Sequence, residues 1–137
     1  MSAIYAFAKA SLLGAAPAIN LTTDTIKAAL VTGAYTPNTA AGGDQYWSVV
    51  GANYAGTPQQ ITSPSVTGGV FNGAGVTYAS VASGPAVSQI VLYKDTGVAA
   101  TSPLVAVLTA GSGLPVTPNG SNISIAWDTG ANKIFAL

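Results

Sequence analysis

The hydrophobic pattern changes period twice along the chain. In residues 2–13, SAIYAFAKASLL, the positions Ile4, Phe7, Ala8 and Leu12 recur at helical spacing in an alanine-rich context. Ser2 stands where an N-cap is expected, Gly14 where a helix commonly ends, and Pro17 soon after. This predicts a short N-terminal helix. Residues 24–32, DTIKAALVT, alternate instead: Ile26, Ala28 and Leu30 point one way, Lys27, Ala29 and Val31 the other. The alanines also suit a helix, but the β-branched flanks and the following Gly33 favour a strand covered on both faces.

Residues 33–45 are turn-forming throughout, with Pro37-Asn38 and Gly42-Gly43-Asp44 as punctuation. Asp44 is placed to cap a single helical turn carrying Trp47 and Val50 and ended by Gly51. Short runs rich in Val, Ile, Tyr and Thr follow at 59–62, 65–71, 75–82, 86–93, 103–109, 122–127 and 133–137. In 122–127, Ile123, Ile125 and Trp127 share one face, and Asp128-Thr129-Gly130 turns the chain into its last strand. Many short strands at this spacing predict a mainly β fold: an antiparallel β-sandwich or barrel, jelly-roll-like, with a short N-terminal helix. No fixed-period repeat and no dividing linker is visible. The expected organisation is one β-rich domain over 1–137, with a helical segment at 1–14 and the sandwich at 15–137.

Composition narrows the function. The 137 residues include four lysines, four aspartates and no Arg, Glu, His or Cys. Charged residues are 6% of the chain, against about 25% in an ordinary soluble domain. The hydrophobic share, 49%, is ordinary, so small polar residues and alanine have replaced charge. Scattered lysines at zero net charge argue against nucleic-acid binding. A disulfide framework needs cysteine, and no apolar run reaches the ~18 residues that cross a bilayer. Ala16-Pro17-Ala18 resembles a signal-peptide cleavage site, but no basic segment precedes it and Lys9 interrupts the apolar stretch, so no such signal is expected. Near-zero net charge favours self-association.

Catalytic patterns fare poorly. A Ser or Thr nucleophile has no histidine base, and no Ser-Lys signature is recognisable. Zinc ligands of the usual kind are missing, and Gly111-Ser112-Gly113 leads into Leu114-Pro115 rather than the Lys-Ser/Thr of a phosphate loop. Paired aspartates remain as a route to glycoside hydrolysis. Yet Asp24 precedes a strand, Asp44 sits at the expected cap, and Asp95 and Asp128 lie in turns, where the side chain bonds nearby N–H groups. Asp128-Thr129-Gly130 matches the aspartic-protease triplet, which works only in two copies, and the acidic residues are too far apart in sequence for a calcium loop. Three glycosylation triplets, at Asn20, Asn119 and Asn122, are the kind that arise easily in such a composition. No catalytic residue, cofactor or metal is expected. Tyr46, Trp47 and Tyr54 either form a binding patch, for sugar or a partner subunit, or plug the end of the β-core.

One resemblance runs through most of the chain. Residues 20–35, NLTTDTIKAALVTGAY, followed by Thr36-Pro37-Asn38, resemble the opening of small virion structural proteins of tailed bacteriophages. The succession continues with TGGV at 67–70, VLYKDTG at 91–97, ATSPL at 100–104 and the segment 119–127 ending in ISIAW. The chain departs from that pattern between Ala55 and Val87, where Gln, Ser and Gly replace expected acidic residues. The resemblance implies a capsid decoration (cement) protein on the outer surface of the virion, made in the host bacterial cytoplasm. Its implied partners are the major capsid protein and its own copies, as a dimer or trimer, with neither nucleic acid nor membrane. Candidate interface residues are Phe7, Leu12, Tyr46, Trp47 and Tyr54. A tail-tube, head-completion or fibre component, a carbohydrate-binding module and a carboxylate enzyme are the competing expectations.

Overall fold

A computed structural model describes residues 3–109 and 114–137. The expected cap Ser2 and the Gly111-Ser112-Gly113 triplet lie outside the described residues. Strands hold 35% of the chain and helical turns 11%, so the fold is mainly β, with antiparallel sheets and one short α-helix near the N-terminus.

A five-stranded antiparallel sheet organises the molecule. It uses β1 (Ala3–Ile4), β2 (Ile26–Thr32), β3 (Tyr54–Gln60), β7 (Val87–Lys94) and β8 (Leu104–Leu108) in the order β1-β8-β7-β2-β3. Two small sheets complete a sandwich-like arrangement. One is β4 (Ser65–Thr67), β5 (Val70–Asn72) and β10 (Phe135–Ala136); the other pairs β6 (Val76–Tyr78) with β9 (Ile123–Ile125).

The centre of the large sheet is apolar on both faces. In β2 every residue but Lys27 is buried, and in β8 every residue is. This is why the alanines of β2 do not make a helix: hydrogen bonds along both edges and cover on both faces outweigh an intrinsic preference of a few tenths of a kcal/mol per residue. Where β2 shifts register after Val31, the buried amide of Gln89 donates to the carbonyls of Thr32 (3.2 Å) and Tyr35 (2.8 Å).

The N-terminus differs from its expected form. The helix α1 spans Ala6–Leu12 rather than residues 2–13, and Tyr5 holds its N-cap without a side-chain cap bond. Ala3 and Ile4, expected on a helix, form β1 against Val107 and Ala106. Pairing with the open edge of β8 gains ladder bonds that a first helical turn lacks. Tyr5 is buried, and its hydroxyl donates to Tyr35 (2.8 Å), whose own hydroxyl donates to the Asp44 carboxylate (2.8 Å). Asp44 also accepts from the Asn38 N–H (2.9 Å). It therefore ties the 33–45 loop to the helix start and does not cap the turn at Trp47–Val50, whose N-cap is Tyr46. That turn is a 3₁₀ helix ended by Gly51 at φ +60°, as the sequence implies.

The β runs also differ in their bounds: those expected at 75–82, 122–127 and 133–137 shorten to Val76–Tyr78, Ile123–Ile125 and Phe135–Ala136, and two others change form. Residues 65–71 are not one strand but the hairpin β4–β5, turned at Gly68 and Gly69, both at positive φ as a tight two-residue turn requires. The run read at 59–62 is the end of β3, which begins at Tyr54. β3 bulges away from β2 between the pairs Ala28–Gln59 and Leu30–Ala55, where Gly56 (φ +67°) and Pro58 lie. There the buried Tyr78 hydroxyl reaches in from β6 and donates to the Ala28 carbonyl at 2.6 Å.

Two outcomes follow. Tyr78→Phe leaves that buried carbonyl without its donor and lowers stability by about 1–3 kcal/mol, read as a lower urea midpoint with unchanged slope. Burial, the first cause in each case, pushes the Tyr5 hydroxyl up to about 12 and raises Tyr35, Tyr78 and Tyr93 well above the ordinary tyrosine value. The folded chain then holds protons that the unfolded chain releases near pH 10, so stability is full below about pH 10 and falls as pH rises through 10 toward 12. Urea midpoints measured from pH 8 to 12 should drop in that window, with tyrosinate absorbance appearing together with unfolding.

Candidate interaction surfaces

The five sequence-predicted interface residues fall into two separate places. The first is built where residues 45–47 lie alongside the start of β8. Trp47 N–H donates to Ser102 O (2.8 Å), Leu104 N–H to Gln45 O (2.9 Å), and Tyr46 bridges to Pro103. This fixes the Trp47 indole flat on Tyr93 of β7, centroids 4.3 Å apart and planes 11° apart, with the Tyr54 ring tilted against the indole at 5.3 Å. Trp47 is only 8% exposed, whereas Tyr54 is 38% exposed. Trp47 therefore closes the apolar face of the sheet, and Tyr54 forms its outer rim. Phe7, on α1, meets Tyr46 edge-on at 5.3 Å, and both are half-buried. Tyr93 completes the cluster and was not singled out from sequence, because nothing in a β-rich run marks which strand residue a distant Trp will cover.

Leu12 lies elsewhere, in an apolar groove of about 300 Å³ whose walls include Ile19, Leu21, Val66, Phe71 and Phe135. The small sheet supplies its floor. Register places Val66 opposite Phe71 and Phe71 opposite Phe135, so the three side chains form one row across β4, β5 and β10. Phe71 and Phe135 are in contact (5.4 Å) and buried, while Val66 is 48% exposed. Leu13 and Leu137 nearby in the chain are exposed too.

The charged side chains are mostly engaged within the fold. Lys27 pairs with Asp95 (2.7 Å) and Lys94 with Asp24 (3.1 Å), across the end of the β2–β7 pair. Lys94 also donates to Ala18 O (2.9 Å). The Lys27 ammonium, with the Gly97 N–H, holds the Asp95 carboxyl below the usual carboxylate value. Asp128 accepts from the Gly130 N–H (2.9 Å), and Lys133 donates to Thr129 O (3.1 Å). These last two line a polar cleft of about 550 Å³ beside Trp127, whose indole N–H is itself held by Ala74 O (2.8 Å). Asp128 and Lys133 thus serve their own loop, and Thr77 and Ser124 of the same cleft bond each other across β6 and β9 (3.2 Å). Among the described residues no three His, Cys, Asp or Glu side chains gather as a metal site, and no helix is long and apolar enough to cross a membrane.

In comparisons with family models, curated proteins and solved structures, nothing matches this chain.

The geometry separates the two roles open to the aromatic residues. Trp47→Ala should cost about 3–5 kcal/mol in urea unfolding, because it empties a packed site between Tyr93 and Tyr54. Tyr54→Ala should cost less, about 1 kcal/mol, since more than a third of that residue is already exposed. Equal losses for the two variants would contradict the assignment of Trp47 as the closing residue.

Proposed function

We propose that this chain is a structural virion protein of a tailed phage, of the decoration type, which binds the outer surface of the capsid, in contact with the major capsid protein and its own copies, and stabilises the shell. The observation that carries this reading is the disposition of charge. Of four lysines and four aspartates, two of each form ion pairs with one another, and the other two aspartates are held by a tyrosine hydroxyl and by backbone N–H groups. The surface left for contact is dominated by Ala, Gly, Ser, Thr and Asn, with exposed apolar residues at Leu13, Val49, Val66, Val98 and Leu137.

Such a surface suits packing against many identical neighbours. Burying small neutral groups carries far less desolvation cost than burying unpaired charge. The succession of motifs that resembles phage virion proteins supports the same reading. A carbohydrate-binding module would need Trp47 as an open stacking platform, and that ring lies against Tyr93.

Cement action has a thermodynamic definition: a ligand that binds the mature shell and not its dissociated state stabilises it by about 2.7 kcal/mol at one hundred times its Kd. Purified protein added to expanded empty capsids should co-sediment with them and raise their melting temperature in proportion to occupancy. Capsids that neither retain the protein nor gain thermal stability would contradict the proposal.

A further inference from the structure

We infer that copies of this chain pair with one another through β4, edge to edge about a two-fold axis centred on Val66. The inference deepens the proposed function: it rests on that reading for the need to self-associate, and on the geometry of one strand for the place.

The β4 edge and the two edges of the large sheet are not alike. β1 is two residues long, and β3 carries the bulge with Gly56 and Pro58, so the large sheet offers little straight ladder to another chain. β4 has no charge, proline or bulge within its three residues, and all three are exposed. In a hairpin with a two-residue turn, the residues flanking the turn exchange hydrogen bonds and the next pair points its N–H and C=O outward. Thr67–Val70 flanks the turn here, so Val66 and Phe71 are the outward pair. On the β5 side the Phe71 carbonyl does accept from the Ile134 N–H of the returning chain (3.1 Å). On the β4 side the Val66 N–H and C=O face out at an open edge.

The side chains carry the same message. The row Phe135–Phe71–Val66 lines one groove with Ile19 and Leu21 and stops at a half-exposed valine. A second β4, antiparallel and related by a two-fold axis, places Val66 against Val66 and Ser65 against Thr67. Both Val66 main-chain groups are then satisfied, and the apolar row continues across six strands. A copy of this chain is matched to the edge because it brings the same neutral sequence, small hydroxyl residues either side of one valine, to a groove that has no charged side chain in its walls. Like surfaces meeting about a two-fold are self-complementary by symmetry.

The test uses the chain's lack of cysteine. Val66→Cys, treated in solution with a short bis-maleimide, should give a covalent dimer, while Val98→Cys, exposed on another loop, should not. In sedimentation equilibrium the unmodified protein should be a dimer that Val66→Lys converts to monomer, shifting its dissociation constant at least tenfold with the melting curve retained, because two lysines then face each other across the axis. A monomeric unmodified protein, an oligomer untouched by Val66→Lys, or equal cross-linking at both cysteine positions would overturn the inference. So would a Val66 edge protected only on capsids, which assigns it to a shell segment. The two proposals fail separately: an intact dimer that ignores capsids contradicts the cement function alone, and a monomer that stabilises capsids contradicts the β4 interface alone.

Discussion

Strands Ile26–Thr32 and Val87–Lys94 lie side by side at the middle of one sheet with apolar side chains on both faces, and most of the remaining chain is arranged to keep water off them. The N-terminal helix, the Trp47 turn and the two small sheets supply that cover. Most polar exceptions inside it are answered by a partner: Gln89 holds the carbonyls after β2, Tyr78 holds the carbonyl that the β3 bulge leaves, and Tyr5 reaches Asp44 through Tyr35, while the buried Ser11 hydroxyl of α1 has none. Unanswered polar groups there would each cost about 1–3 kcal/mol, a large fraction of the stability of a domain this size.

The same strands show what a sequence can reveal. Alternation in residues 24–32 and dense β-branched runs at 86–93 and 103–109 mark the central strands, because local pattern and tertiary burial agree there. The edges are less legible. Residues 54–58, YAGTP, contain the glycine and proline of a loop, and become strand only because β2 offers them an edge. Ala3 and Ile4 read as helix until β8 competes for their backbone. Asp44 looks like a cap because its true donor, Tyr35, arrives through space.

The candidate surfaces follow that division. Tyr46, Trp47 and Tyr54 were visible as aromatic side chains near one another in sequence, and Phe7 as an apolar helix position, but only the fold brings Phe7 to Tyr46 and separates the buried Trp47 from the rim formed by Tyr54. Leu12 was visible as an apolar helix position; the groove it joins depends on strands more than fifty residues away. Val66 had no sequence signal at all, since its importance lies in the direction of its main-chain groups. Where charge is scarce, as here, interfaces are written in shape and backbone geometry, which single-residue chemistry does not encode.

The central claim is that this neutral, strand-edged surface exists to pack against a virus shell. Imaging assembled particles by cryo-electron microscopy, with the ten strands of the described residues fitted as a rigid unit, tests it most directly. The account predicts density for the chain on the outer face of the capsid, repeated with the lattice. Finding it confined to the tail, or not in the particle, would contradict the account.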